Sequence, residues 1–326
     1  MKLNHQAPNA VVMVRPHYFT PNPETAADNV FQLPRPEVTA DTLAARALAE
    51  FDGAVRRLME AGVRVHVFDD LGRDTPDSVF PNNWVSTHHG GRVAIYPMAA
   101  PSRRGERRAD IIELLKREYR VQEVIDYSGL ENDRLFLEGT GAMVLDHLER
   151  VAYVGASNRA DPLILERFCT SFGYEPMVFA NVDPAGKPIY HTNVIMSIAT
   201  EFAIVCTEVM SDAHRRDEII ARLRDSGRDI IDISWDQVNE FAGNALEVSG
   251  TDRRYLALST RAAAAFTDDQ RAAMERSAEL LPLPVPTIEL SGGSVRCMLA
   301  GVHLSRRGAG DPTPADLSSA RPAPAA

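Results

Sequence analysis

Between Thr39 and Ala61 apolar residues return at steps of three and four, with Leu43, Ala47, Phe51, Val55 and Leu58 on one face. The spacing predicts an amphipathic helix, and Gly62 stands just past its end, where a left-handed cap is often needed. From Val63 to Phe68 the period changes to two, which predicts a half-buried strand. The same alternation of patterns runs down the chain. Strands are predicted at Val11–Val14, Val93–Tyr96, Val121–Ile125, Ala142–Leu145, Val151–Val154 and Pro176–Phe179. More follow at Val194–Ile198, Ala203–Cys206, Ile230–Ile233, Ala245–Val248, Tyr255–Leu258 and Pro286–Leu290, and Val295–Val302 ends the folded portion. Helices are predicted at Arg107–Glu118, at Pro162–Ser171 closed by Gly173, at Asp212–Ser226 closed by Gly227, and at Thr267–Leu280.

The recurring unit is two strands, a helix and a strand, every 50 to 60 residues or so. Such a series fits an open α/β sheet, but its regularity favours a ring of repeated α/β modules. Five modules are counted if the N- and C-terminal pieces close one of them. A ring gathers loops around a central channel, a natural place for a buried site. Residues 1–305 form the expected single domain. The segment from Arg306 to Ala326 has four prolines, six alanines and no aromatic residue, and reads as a flexible tail.

Composition narrows the function. The 326 residues carry a formal charge of -10, which disfavours non-specific nucleic-acid binding. The most apolar stretch, Val194 to Met210, is interrupted by Ser197, Thr200 and Glu201, so no membrane span is expected. The first residues lack the pattern of a secretory signal. Cys169, Cys206 and Cys297 are odd in number and far apart, which indicates neither a disulfide scaffold nor a cysteine zinc site. A reducing cytoplasm is the expected setting. The composition is compatible with an oligomer but does not specify one.

Five polar segments next to strands could carry chemistry. Cys297 follows Ser291-Gly292-Gly293-Ser294-Val295-Arg296, and a neighbouring guanidinium favours a thiolate. The alternative is a core cysteine in a strand running to Leu304. His191, in Tyr190-His191-Thr192-Asn193, stands at the mouth of an apolar strand and is placed either to move a proton or to bond a loop. Glu138, in Leu137-Glu138-Gly139-Thr140-Gly141, precedes a glycine-rich turn that lacks any phosphate-loop context. Phe80-Pro81-Asn82-Asn83-Trp84 concentrates two amides and one of two tryptophans, fit for a small polar ligand or for an Asn-capped turn with Trp as packing. His88-His89 is the nearest thing to a metal signal, with no third ligand at a recognised spacing. Asn239 to Asn244 is a fifth polar break before a strand. In a closed ring these ends can converge, and a Cys/His/Glu set supports nucleophilic catalysis.

Together and in this order, the segments resemble the guanidine-modifying superfamily of arginine deiminases, dimethylarginine dimethylaminohydrolases and amidinotransferases. The bacterial group described as citrulline utilization hydrolases is the nearest likeness. It runs from Val11-Val12-Met13-Val14-Arg15-Pro16 to Cys297, with Phe80–Trp84, Leu137–Asp146, Tyr190–Val194 and Glu240–Val248 as its characteristic segments. The resemblance implies a fivefold pseudosymmetric α/β propeller with a central site. It also implies Cys297 as nucleophile, His191 as general acid and base, Glu138 as the carboxylate beside them, and no metal or organic cofactor. The expected substrate is a small arginine-like amino acid. Asn82, Asn83, Trp84, Gly139, Arg159, Asn193, Asn244 and Gly293 are the expected binding residues.

Arginine deiminases carry an Asp two residues after the catalytic His and another in the loop corresponding to Phe80–Trp84. Here Asn193 and Asn83 stand instead, and an amide brings no negative charge. Fewer carboxylates should weaken a preference for a guanidinium cation and favour a neutral ureido group. Arg15, Arg159 and Arg296 are candidates for the substrate carboxylate, Arg159 preferred, and Asn22 and Glu24 for closing over the site. The alternatives are an amidinotransferase using the same cysteine adduct, or a catalytically silent binding protein.

Overall fold

The computed structural model describes residues 6–26, 29–33 and 37–308. Fifteen strands among them form five sheets of three. One sheet holds β1 (Ala10–Pro16), β2 (Arg64–Asp70) and the short β15 (Ala300–Gly301). The next is β3 (Val85–His88), β4 (Arg92–Ile95) and β5 (Glu123–Asp126). A third is β6 (Met143–Asp146), β7 (Val151–Gly155) and β8 (Glu175–Phe179). The fourth is β9 (Met196–Ile198), β10 (Phe202–Val205) and β11 (Asp229–Asp232). The fifth is β12 (Leu246–Ser249), β13 (Arg254–Ser259) and β14 (Glu279–Leu283).

Every sheet repeats one pattern. The inner strand pairs antiparallel with the middle strand, and the middle strand pairs parallel with the outer. A parallel pair cannot be joined by a hairpin, so a helical crossover follows each middle strand. These crossovers are Ala40–Glu60, Ala109–Glu118, Pro162–Phe172, Ala213–Asp225 and the pair Thr260–Ala265 and Asp268–Glu275. Their ends follow local chemistry. Thr39 accepts from the Thr42 amide at the first, and Asp161 caps the third ahead of Pro162. Gly62, Gly173 and Gly227 all take positive φ just past their helices, as expected from the sequence. The two ends of the chain close the ring: Val11 and Val12 lie opposite Gly301 and Ala300. Inner strands meet around the centre, β15 beside β3, β6 beside β9, and β9 beside β12.

Several expected elements moved. The helix expected over Thr267–Leu280 stops at Glu275, and the strand expected at Pro286–Leu290 is β14 instead. Leu280, Leu281 and Leu283 pair with β13, whereas Ile288–Ser291 coils into a 3-10 turn beyond Pro284 and Pro286. Val295–Met298 is a helical turn, not a strand, and only Ala300–Gly301 pairs. An unbroken buried run has no period to separate the two. The polar β3 escaped notice because Ser86, Thr87 and His88 face polar partners in the interior. Arg306, assigned to the tail, bridges Tyr119, and the Arg307 amide bonds the Glu118 carbonyl. The rest of the expected tail, from residue 309, lies outside the described residues. Among the described residues no helix is long and apolar enough to cross a membrane.

Candidate active site

Each inner strand is entered from a tight turn, and these turns carry the candidate residues. Asn82 and Asn83 sit in the 3-10 turn Pro81–Asn83 before β3, and Glu138 caps the turn Gly139–Ala142 before β6. His191 caps Thr192–Val194 before β9, Asn244 precedes β12, and Cys297 lies in Val295–Met298 before β15. One module therefore contributes one turn to a common centre. Glycine makes the crowding feasible. A Cβ on Gly141 would stand 2.1 Å from Asn83 Nδ2 and 2.8 Å from the His191 ring, and Gly139, at φ 45°, backs onto the Asn82 and Asn83 carbonyls.

His191 and Cys297 line one narrow cavity with Asp77, Asn83, Arg103 and Arg159. His191 Nε2 lies 2.8 Å from Glu138 Oε2, and Arg159 Nη1 donates to the same oxygen at 3.1 Å. Glu138 Oε1 accepts from the Ala99 amide at 3.0 Å. Burial works to raise the Glu138 carboxyl. The Arg159 charge, the His191 bond and the Arg103 charge outweigh it and hold Glu138 well below the usual carboxylate range. Burial pushes His191 below its ordinary value, and the Arg159 and Arg103 charges act the same way against the pull of Glu138. The sulfur of Cys297 faces two amide donors, Asn193 Nδ2 and Asn244 Nδ2, each at 3.3 Å. The Arg296 amide donates to Asn244 Oδ1, which fixes Asn244 with its NH2 toward the sulfur.

Three residues of the cavity had no role in the sequence reading. Asp77 is buried, accepts from Asn22 Nδ2 at 2.8 Å, and leaves Oδ1 without a partner among the described residues. Burial raises its carboxyl despite Arg103. Arg103 is fully enclosed, forked onto Glu106 at 2.9 and 3.0 Å, and donates to Asn83 Oδ1 at 3.1 Å. The Tyr190 ring, read only as a neighbour of His191, lies 5.0 Å beneath the Arg159 guanidinium. Arg103 hides in Arg103-Arg104-Gly105-Glu106-Arg107-Arg108, which reads as a solvated charge run. Asp77 had one usable signal, a charge next to the apolar pair Val79-Phe80.

Not every candidate belongs to the cavity. Trp84 is fully buried in the core between β1 and β3 and packs there, so its binding role is withdrawn. Asn82 and Gly139 build the wall from behind, while Gly293 lines it against the Phe80 ring. Arg15 lies outside this cavity, paired with Asp52 and Asp69, and Arg296 lines a different one. Asn22 holds Asp77, and Glu24 accepts from the Ser102 amide. His88 is engaged by Ser86 and Tyr174, and among the described residues no group of three His, Cys, Asp or Glu could hold a metal ion. Cys169 and Cys206 are core residues whose thiols burial pushes up to about 12.

Five three-stranded modules around a Cys, His and Glu centre define the guanidine-modifying class of α/β propellers. A family model described as N,N dimethylarginine dimethylhydrolase, eukaryotic, matches residues 15–304, and the chain belongs to that family. It is accordingly a hydrolase acting on C–N bonds other than peptide bonds. No curated protein matches it in sequence. Its fold is similar to the N-terminal domain of ArgZ, an arginine dihydrolase from cyanobacteria, with a TM-score of 0.69 and 17% identity over 90% of this chain and 97% of that one. AgrE in complex with ornithine and NAD+ has a TM-score of 0.71 and 17% identity, over 91% of this chain and 40% of the longer AgrE. A dimethylarginine dimethylaminohydrolase adduct gives 0.59 and 16%, over 91% and 99%.

Proposed function

We propose that the chain hydrolyses the terminal C–N bond of a ureido amino acid of the citrulline kind through a covalent adduct on Cys297. The orientation of Asn83 carries this reading. Arg103 can only donate, so the Asn83 oxygen it bonds is committed, and the amide NH2 lies against Gly141, which the His191 ring also approaches. That NH2, Asn83 Nδ2, has no partner among the described residues. A ureido oxygen would accept from it; a guanidinium, all donors, would oppose it. Asn193 Oδ1, equally without a partner, is an acceptor for a ureido N–H. The carboxylate at this end, Glu138, is already engaged by Arg159 and His191.

Elsewhere in the cavity the unpartnered Asp77 oxygen suits an α-ammonium, and Arg159 suits an α-carboxylate. A small amino acid is the only partner this reading requires, and a reducing cytoplasm suits its three free cysteines. In the first step neutral His191 takes the Cys297 proton, the sulfur attacks the ureido carbon, and the C–N bond breaks as His191 returns the proton to the leaving nitrogen. The cysteine then carries a carbamoyl group. Water, deprotonated by His191, attacks that carbon, and the S–C bond breaks to restore the thiol and release a carbamate. Glu138 holds the imidazole in place and steadies its charged form.

The test is kcat/KM for citrulline, arginine and methylated arginines, with product analysis. Citrulline should lead by at least about tenfold, or 1.4 kcal/mol, and Cys297→Ser should remove turnover. A preference for arginine would overturn the substrate, and appearance of an amidino group on an added amine would make the chain a transferase.

A further inference from the structure

Behind the catalytic turns the inner strands line a second, narrow cavity of about 40 Å³ that has no residue in common with the first. No Asp or Glu lines it; Arg296, His147 and His303 do. Arg296 donates Nη1 to the Leu299 carbonyl of its own turn and has no ion-pair partner among the described residues. Asp146, next to His147, is spent on Arg228 at 2.6 and 3.0 Å. An otherwise acidic protein thus keeps, at its axis, a pocket whose fixed charge is the Arg296 guanidinium and whose lining holds no carboxylate.

A chain of hydrogen bonds fixes what His147 offers. The Tyr96 hydroxyl is buried, and its partner is Ser86 Oγ at 2.6 Å, so the Tyr96 proton goes there. Ser86 then donates to His88 Nε2 at 2.7 Å, and His88 carries its proton on Nδ1. That proton points to the Tyr174 oxygen at 3.3 Å, and Tyr174 donates to His147 Nδ1 at 2.8 Å. His147 is left with its proton on Nε2, an atom with no protein partner among the described residues. Run the other way, the series would strand the Tyr96 proton in the core. The His147 ring is stacked on His303 at 3.8 Å, which holds its plane.

We propose that this channel is a second binding site, for a small carboxylate- or phosphate-bearing anion held by the Arg296 guanidinium and His147 Nε2–H. The site is coupled to the first through one residue. The Arg296 amide bonds Asn244, and Asn244 bonds the Cys297 sulfur. An anion on Arg296 offsets a positive charge next to that sulfur and lowers turnover without blocking the substrate cavity.

The experiment titrates the full chain with inorganic phosphate and with formate at constant ionic strength, following histidine side-chain nitrogens by NMR. In the free protein His147 should be the Nε2–H tautomer, and its Nε2 should shift and saturate on addition of anion. Inhibition should be noncompetitive with substrate. His147→Gln should weaken anion binding at least tenfold and leave kcat/KM without anion within twofold, and His303→Gln is the second variant should the first not fold. An Nδ1–H tautomer overturns the proposal. So does the absence of binding at about 10 mM, beyond the millimolar range of weak sites. Competitive inhibition that persists in His147→Gln and disappears in Arg159→Gln would place the anion on Arg159 and overturn it as well.

Discussion

Asn83 and Asp differ by one atom, and in the proposed reading that atom decides which charge the reacting end tolerates. Asn83→Asp puts a carboxylate beside Arg103 and His191 and removes the donor that opposes a guanidinium. The expected outcome is a shift of at least about tenfold in kcat/KM from citrulline toward arginine, read from the two substrates on one preparation. His191, held below its ordinary 6.5 by burial, should give an acid limb of kcat/KM that falls below pH 6.5, where the protonated ring accepts nothing. Glu138 has a stability signature of its own. Its carboxyl is depressed on folding, so the folded state binds fewer protons than the unfolded one below about 4.5. The resulting stabilisation is complete above that pH and is lost as pH falls through the folded value. Glu138→Gln should therefore flatten the acid side of a Tm-against-pH curve, and an unchanged curve would contradict the ion-pair account.

The turns before the inner strands are the elements that carry the proposed site, and Gly141 tests one of them. Gly141→Ala forces a methyl group against Asn83 and His191, and overpacking of this kind costs about 1–3 kcal/mol. Turnover should fall at least about a hundredfold while the rest of the fold persists, as circular dichroism and activity on one sample would show. These turns also mark the limit of what the chain discloses as text. The crossover helices and the β-β-α-β order were legible, because each helix is wide enough to show its apolar stripe and its caps. Cys297, His191 and Glu138 were legible as polar interruptions beside strands. The turn at Cys297 was mistaken for a strand, because Val295, Met298 and Leu299 are buried on every side. Trp84 was read as a ligand contact for want of any sign that its ring faces the core. Asp77 and Arg103 were missed for the opposite reason: only tertiary packing tells a buried charge from a solvated one.

The ring as a whole depends on contacts between modules. Arg228, at the start of β11, grips Asp146, at the end of β6, with both side chains almost fully enclosed. Asp146→Asn leaves a buried guanidinium short of its counter-charge, and loss of one partner from such a pair costs about 3–5 kcal/mol. Chemical denaturation should show that loss, whereas Asp146→Leu with Arg228→Met should recover much of it. The closing sheet has a different consequence, one of timing. Its middle and outer strands are made before the other four sheets and its inner strand after them. Four sheets can form before the sulfur and the strand that would seat it emerge from the exit tunnel. On the proposed chemistry, a nascent copy is thus barred from acting on its substrate until β15 is out.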